Sequence, residues 1–144
     1  MIVAGNWLAW ALLSAVFAAM TAILAKIGLE GIDSDFATLV RCVVILFTLA
    51  AFVWATGKWT DPTTLRPRNW IFLVLSGLAT GASWVCYFRA LQVGDAAKVA
   101  PIDKLSVVLV AIFAVVFLGE RPALKDWAGI ALVAGGVLTL AWKR

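Results

Sequence analysis

The stretch Ala96–Gly119, AAKVAPIDKLSVVLVAIFAVVFLG, decides how the rest of the chain is read. From Leu105 to Leu118 every residue except Ser106 is apolar. A helix rising about 1.5 Å per residue needs about 20 mostly apolar residues to cross a hydrocarbon core of about 30 Å. This stretch is long enough, and its flanks, QVGD before it and ERPALKD after it, are rich in turn formers and charge. It reads as a membrane span. Near its start lie Pro101, Asp103 and Lys104, which a span needed only for anchorage would lack.

Working outward, four further apolar stretches can be laid down: Trp7–Leu29, Phe36–Thr56, Trp70–Leu91 and Trp127–Trp142. The segments GLEGIDSD and GKWTDPTTLRPRN separate the first three. The predicted fold is therefore all-α, an integral membrane protein of five transmembrane helices in one domain over residues 1–144. Composition agrees, with 64% hydrophobic residues, 14% charged residues and a mean hydropathy of +1.01. These values exclude an ordinary soluble domain. Trp7, Trp59, Trp70, Trp127 and Trp142 fall at or near span ends, where amphipathic rings rest at headgroup level.

Several function classes drop out. No Lys or Arg precedes the first span, which is also too long for a cleaved signal sequence, so none is expected. Cys42 and Cys86 lie within apolar segments and read as small buried hydrophobes. The chain has no His, and neither a metal nor a cofactor is expected. The net charge of +4 is scattered through loops and helix ends, which argues against nucleic acid as a partner. No Ser or Cys stands beside a plausible base, so the chain is not read as an enzyme.

Orientation is nearly undetermined by charge. On the N-terminal side lie Lys58, Arg66, Arg68, Arg121 and Lys125; on the other lie Lys26, Arg41, Arg89, Lys98, Lys143 and Arg144, a tally of five against six, with Lys104 deeper. Discounting the bases within helix ends leaves a weak preference for the N-terminal side in the cytoplasm. The sharper alternative is dual topology, in which copies insert both ways and pair antiparallel to give the inverted repeat that larger transporters hold in one chain.

The charges within spans define a layer. Lys26 closes the first helix, Arg41 lies a turn and a half into the second, Arg89 lies near the end of the third, and Asp103 and Lys104 sit about 11 Å into the fourth. A charge in hydrocarbon costs about 3 kcal/mol even on the lenient insertion scale, so such residues usually face a bundle interior or a watery cavity. The long stems of Lys26 and Arg89 can instead carry their charges to the headgroups, and snorkelling is the expectation for these two. Arg41 fits either reading. Asp103 is too short to snorkel and needs a partner or a cavity.

Helical spacing assigns faces. Asp103 shares a stripe with Val99, Ser106 and Val110, whereas Lys104 points about 100° away, so the two are expected to serve different surfaces. Trp7, Trp10, Ser14, Phe17 and Thr21 form a polar and aromatic stripe; Thr38, Arg41, Ile45 and Thr48 form a second, and Thr80, Trp84 and Tyr87 a third. Such stripes suggest cavity walls, although hydroxyls also bond between packed helices. Gly77 and Gly81, with Gly129, Gly135 and Gly136 in the last helix, mark faces for close helix packing or dimerisation. Pro101 removes a backbone donor, so the fourth helix is expected to start near it or kink there, loosening backbone groups at membrane depth.

YFRALQVGDAAKVAPI, FLGE and the glycine-rich last helix together resemble the C-terminal part of an EamA domain of the drug/metabolite transporter superfamily. The five-span form with PIDKLSVV resembles the small bacterial and archaeal transporters of that superfamily more than its ten-span members. The resemblance implies a multi-pass carrier of the cytoplasmic membrane, with two EamA units of inverted topology around a central cavity. The chain would then be a half-transporter that dimerises. The membrane-embedded glutamate of the four-span multidrug relatives is missing from the first helix, which offers Ser14 and Thr21 instead, so their drug/proton exchange mechanism does not carry over.

The function expected is secondary transport of small metabolites, with amino-acid-like compounds the default that the resemblance implies. Trp10, Ser14, Arg41, Trp84, Tyr87, Asp103, Lys104 and Ser106 are the candidate substrate-binding residues, and Pro101 the helix break. The layer of four bases and Asp103 nets about three positive charges, which favours an anion. Asp103 is expected to pair with Arg41 or Lys104, or to take part in proton coupling. The alternatives are efflux of cationic compounds centred on Asp103, and a non-transporting membrane assembly subunit.

Overall fold

The computed structural model describes residues 7–142. The secondary structure of the described residues is helical: α1 (Trp7–Gly28), α2 (Ser34–Ala55), a 3-10 turn (Pro62–Thr64), α3 (Pro67–Val93), α4 (Ala96–Asp103), α5 (Ser106–Leu118) and α6 (Leu124–Ala141). Five helical segments are long and apolar enough to cross a membrane, with α4 and α5 together forming the fourth. Lys143 and Arg144 of the charge tally lie outside the described residues.

Local chemistry sets the boundaries. Asp33 caps α2, its carboxylate accepting the amides of Asp35 at 3.0 Å and Phe36 at 3.1 Å. α3 starts at Pro67, three residues before the predicted start, because proline suits the first helical position. α6 likewise starts before Trp127, where the Asp126 carboxylate accepts the Ala123 amide at 2.8 Å. α5 stops at Gly119, whose φ of 67° lets the Glu120 amide close on the Ala114 carbonyl at 3.1 Å.

The fourth span is discontinuous, but not at its proline. Pro101 stays inside α4, and the helix is interrupted at Lys104 and Leu105. There the ladder tightens to three-residue bonds: Lys104 N–H to Pro101 O at 2.9 Å, Leu105 to Ile102 at 3.0 Å and Val107 to Lys104 at 3.0 Å. Proline disturbs the carbonyl four residues before it while its own carbonyl stays available, so a helix only eight residues long can contain it near its end.

The helices form two compact groups. In Ile23–Gln92 the buried side chains are Ala25 and Leu29 at the end of α1 and in the turn after it, Ser34 and Thr38 on the first turns of α2, and Phe88 and Leu91 on the last turns of α3. Beyond that end the large side chains are exposed, as at Phe47, Phe52, Leu73 and Leu78. In the other group, the described parts of Met1–Ala22 and Val93–Arg144, α6 packs against α4 and α5 with Val137 buried and Ile130 and Ala134 half-buried on one face. Spans with outward apolar surface suit lipid, which is as apolar as they are.

The glycines predicted for close packing or dimerisation lie against no other helix among the described residues. At Gly77, Gly81, Gly129, Gly135 and Gly136, an added Cβ would meet nothing within 4 Å. Helical spacing shows where small residues align but not whether a partner helix lies against them.

Outside the spans, Asp61 accepts the Thr63 amide at 2.9 Å and the Thr63 hydroxyl at 2.8 Å, which holds its carboxyl below the usual carboxylate range. Because the folded value is lowered, the turn's stabilisation is present above the ordinary Asp range and lost as pH falls through the folded value. Hydrogen exchange at Thr63–Leu65 in Asp61→Ala should match, at neutral pH, what the wild type shows only in strong acid. Asp33→Ala should cost about 1 kcal/mol of thermal stability through loss of the α2 cap.

Candidate functional site

The site is built where α1, α2 and α3 meet. Lys26 Nζ donates to the Leu91 carbonyl at 2.7 Å and approaches that of Gln92 at 3.5 Å, placing a cation on the carbonyls that end α3. Gln92 Nε2 donates to the Ile32 carbonyl at 2.8 Å, tying α3 to the turn before α2. Arg89 grips Asp35 with both arms of its fork, Nε to Oδ1 at 2.9 Å and Nη2 to Oδ2 at 2.5 Å. The bidentate geometry matches planar guanidinium to planar carboxylate.

Two expectations are corrected here. Lys26 and Arg89 were expected to snorkel, but the structure turns one to a helix C-terminus and the other to Asp35. The loop between α1 and α2 carries the missing partners, because its short GLEGIDSD connection returns an acidic helix start to the basic ends of α1 and α3. Counting Asp35 with the layer leaves four bases against two acids, about two positive charges rather than three.

Arg41 differs from its neighbours. Ser34, Thr38, Arg41 and Ile45 recur at helical spacing on the inward face of α2, with Ser34 and Thr38 buried and Arg41 and Ile45 half-buried. The Arg41 guanidinium lies over the Phe88 ring, its Cζ 4.0 Å from the centroid, while Tyr87 meets Phe88 edge to face at 5.2 Å. Arg41 Nη1 is buried without a hydrogen-bond partner among the described residues. Trp84, one turn before Phe88, is half-buried on the same helix.

The hydroxyl stripes close largely on their own helices. Thr38 donates to Ser34 O at 2.7 Å, Thr48 to Val44 O at 2.8 Å and Thr80 to Ser76 O at 2.9 Å. These bonds satisfy the hydroxyls without a partner helix or a water-filled space.

In the other group Lys104 Nζ reaches Asp103 Oδ2 at 3.3 Å, so the expected separation of the two side chains is also corrected. The angular argument assumed a continuous helix. Lys104 instead closes α4 with φ −70° and ψ −4°, and its flexible stem folds back on the preceding carboxylate. Asp103 is half-buried, Lys104 is exposed, and Ser106 is exposed as the first residue of α5. Trp10 and Ser14 on α1 are both exposed.

Sequence reasoning missed Asp35, Phe88 and Gln92. Asp35 was legible as an acid in the first turn of α2, and Phe88 as the middle of the Trp84, Phe88, Leu91 spacing that faces inward. Gln92 had no signal, because its role is a bond to the backbone of a distant turn.

With the geometry in place, comparison with known proteins settles the family. The profile of the EamA-like transporter family matches residues 5–142. The chain belongs to the EamA-like transporter family. It is 62% identical over 136 residues, 94% of this chain and 96% of the other, to an uncharacterized transporter in the cobO 3' region of Sinorhizobium sp. It is 30% identical over 142 residues to the uncharacterized transporter YxxF of Bacillus subtilis (strain 168), covering 97% of this chain but 44% of that protein. A third relative, 27% identical over 89 residues, is the probable 4-amino-4-deoxy-L-arabinose-phosphoundecaprenol flippase subunit ArnE of Yersinia pestis (strain Pestoides F), with 61% of this chain and 78% of ArnE covered. No solved structure matches the chain. This EamA protein is thus a multi-pass membrane protein of a transporter family, and the family and relatives' names indicate a transporter, not an enzyme.

The joint of this EamA protein should respond to charge in a defined way. Asp35→Arg and Arg89→Asp should each lower thermal stability in nanodiscs, and the double exchange should recover most of the loss. Lys26→Met should cost up to about 1 kcal/mol by uncapping α3.

Proposed function

We propose that the chain is a half-transporter that works as a homodimer in the cytoplasmic membrane, exporting or exchanging small organic metabolites through a cavity between two copies. Amino-acid-like compounds are the substrate class. The observation that carries the reading is the face of α1: Trp10, Ser14, Phe17 and Thr21 are all exposed, so polar and aromatic groups of an apolar span stand uncovered by the described residues. The open glycine faces of α3 and α6 support the same reading. So does the Bacillus relative, in which the match spans 97% of this chain but only 44% of the longer protein. The Yersinia relative bears the name of a flippase subunit, which supports action as part of an assembly.

The near balance of bases on the two sides supports insertion in both orientations, making the dimer antiparallel. In this reading the candidate substrate contacts are Arg41, Trp84 and Tyr87 in one helical group and, taken separately, Asp103, Lys104 and Ser106 in the other. The break between α4 and α5 supplies backbone groups at depth. Efflux of cations through Asp103 is the weaker alternative, because that carboxylate already carries Lys104 at 3.3 Å.

The test combines topology with transport. C-terminal reporters active on only one side of the membrane should both give signal, and signal from one alone excludes the antiparallel dimer. In proteoliposomes, Asp103→Asn and Lys104→Ala should each cut amino-acid counterflow about tenfold or more, the scale of one lost charged contact. Wild-type rates in both variants remove these residues from the site, and loss in Asp103→Asn alone, confined to cationic compounds, selects the efflux alternative.

A further inference from the structure

We propose that Arg41, stacked on Phe88, is the receptor for an oxyanion, a carboxylate or phosphate group, and that in the transport cycle it holds that group of the cargo. The second half of this statement rests on the transport reading; the first stands on the local geometry.

Arg41 lies within an apolar span, where an arginine needs a counter-charge or hydrogen-bond acceptors. The ring of Phe88 occupies one face of its guanidinium plane at 4.0 Å. Such stacking offsets part of the charge but uses none of the N–H donors, which lie in the plane and point outward from its edge. Nη1 is buried without an acceptor among the described residues. Among the described residues no ion pair joins Arg41 to a carboxylate.

Of the acids in the same helical group, Asp35 is held by Arg89, Asp33 caps α2 and Asp61 holds its own turn, and among the described residues no ion pair joins Glu30 to Arg41. The neighbouring cations differ as well, since Lys26 donates to α3 carbonyls and Arg89 to Asp35. Arg41 therefore combines a full positive charge, a planar fork fixed by an aromatic ring, and a buried donor lacking an acceptor. A planar or tetrahedral oxyanion supplies two acceptors at the spacing of that fork, together with the compensating charge. An ammonium group would meet like charge. Arg41 keeps part of its surface exposed, which gives the anion access.

The experiment measures binding without any gradient. Protein in phosphatidylcholine nanodiscs is titrated with acetate, inorganic phosphate or methylammonium chloride at constant ionic strength while Tm is followed. Acetate or phosphate should raise Tm saturably, on the order of 5 °C at high excess, while methylammonium does not. Arg41→Met should abolish the rise. Arg41→Lys, which keeps charge but not the fork, should weaken apparent affinity about tenfold, and Arg121→Gln should respond as wild type does. Exchanging part of the lipid for phosphatidylglycerol separates sources: an Arg41-dependent rise with that lipid and none with soluble anions assigns the oxyanion to a headgroup. Absence of any oxyanion response, or an equal response in Arg41→Met, overturns the proposal. Anion binding retained by a protein that transports nothing overturns the transport reading alone, and transport by a protein that binds no oxyanion overturns this one alone.

Discussion

The joint at the ends of α1, α2 and α3 rests on one constraint: a charge at the edge of a membrane must find an opposite charge, a dipole or water. Arg89 finds Asp35, Lys26 finds the last carbonyls of α3, and Gln92 finds the carbonyl of Ile32. In lipid the apolar faces of these helices gain little by meeting one another, so directional bonds fix the register. The buried side chains of this helical group gather at that end, and the rest of its length is largely open. Leu91 and Phe88 are packed because the polar contacts beside them draw three chain segments together.

The same constraint singles out Arg41. It shares the inward face of α2 with Ser34 and Thr38, yet no acid pairs with it among the described residues. Cation–π contact with Phe88 orients the guanidinium and leaves Nη1 without an acceptor among the described residues. A buried pair that satisfied every group would make a rigid structural element. Arg41 is the cation of this end with a buried donor, Nη1, that finds no acceptor among the described residues.

The break between α4 and α5 obeys a different rule. Pro101 cannot donate and disturbs the carbonyl ahead of it, yet the helix continues for two residues and then tightens into three-residue turns. Lys104 is freed from helical registration and folds onto Asp103. A pair of opposite charges formed between sequence neighbours offsets part of its cost in lipid while leaving the backbone around it irregular. That combination suits a segment that must stay polar at depth and still lie within a span.

Much of this was legible in the residues themselves. Five spans, their approximate ends and the family followed from runs of apolar side chains, from the punctuation between them and from the YFRALQVGDAAKVAPI stretch, because the bilayer imposes a length and a composition on any segment that crosses it. The locations of Lys26, Arg41 and Arg89 along their helices were equally plain. Their partners were not. Periodicity says which residues share a face of one helix but is blind to what another helix brings opposite, so Asp35 was left uncounted, Phe88 was passed over for Tyr87, and Lys104 was turned away from Asp103. The glycine faces show the same limit, since small residues permit close approach without compelling it. The amino-acid order alone determined that this chain crosses a membrane five times and where its charges lie in each span. Only the tertiary structure decided which of those charges are spent on one another and which, at Arg41, is not, because pairing depends on distances between helices that no spacing along a single helix contains.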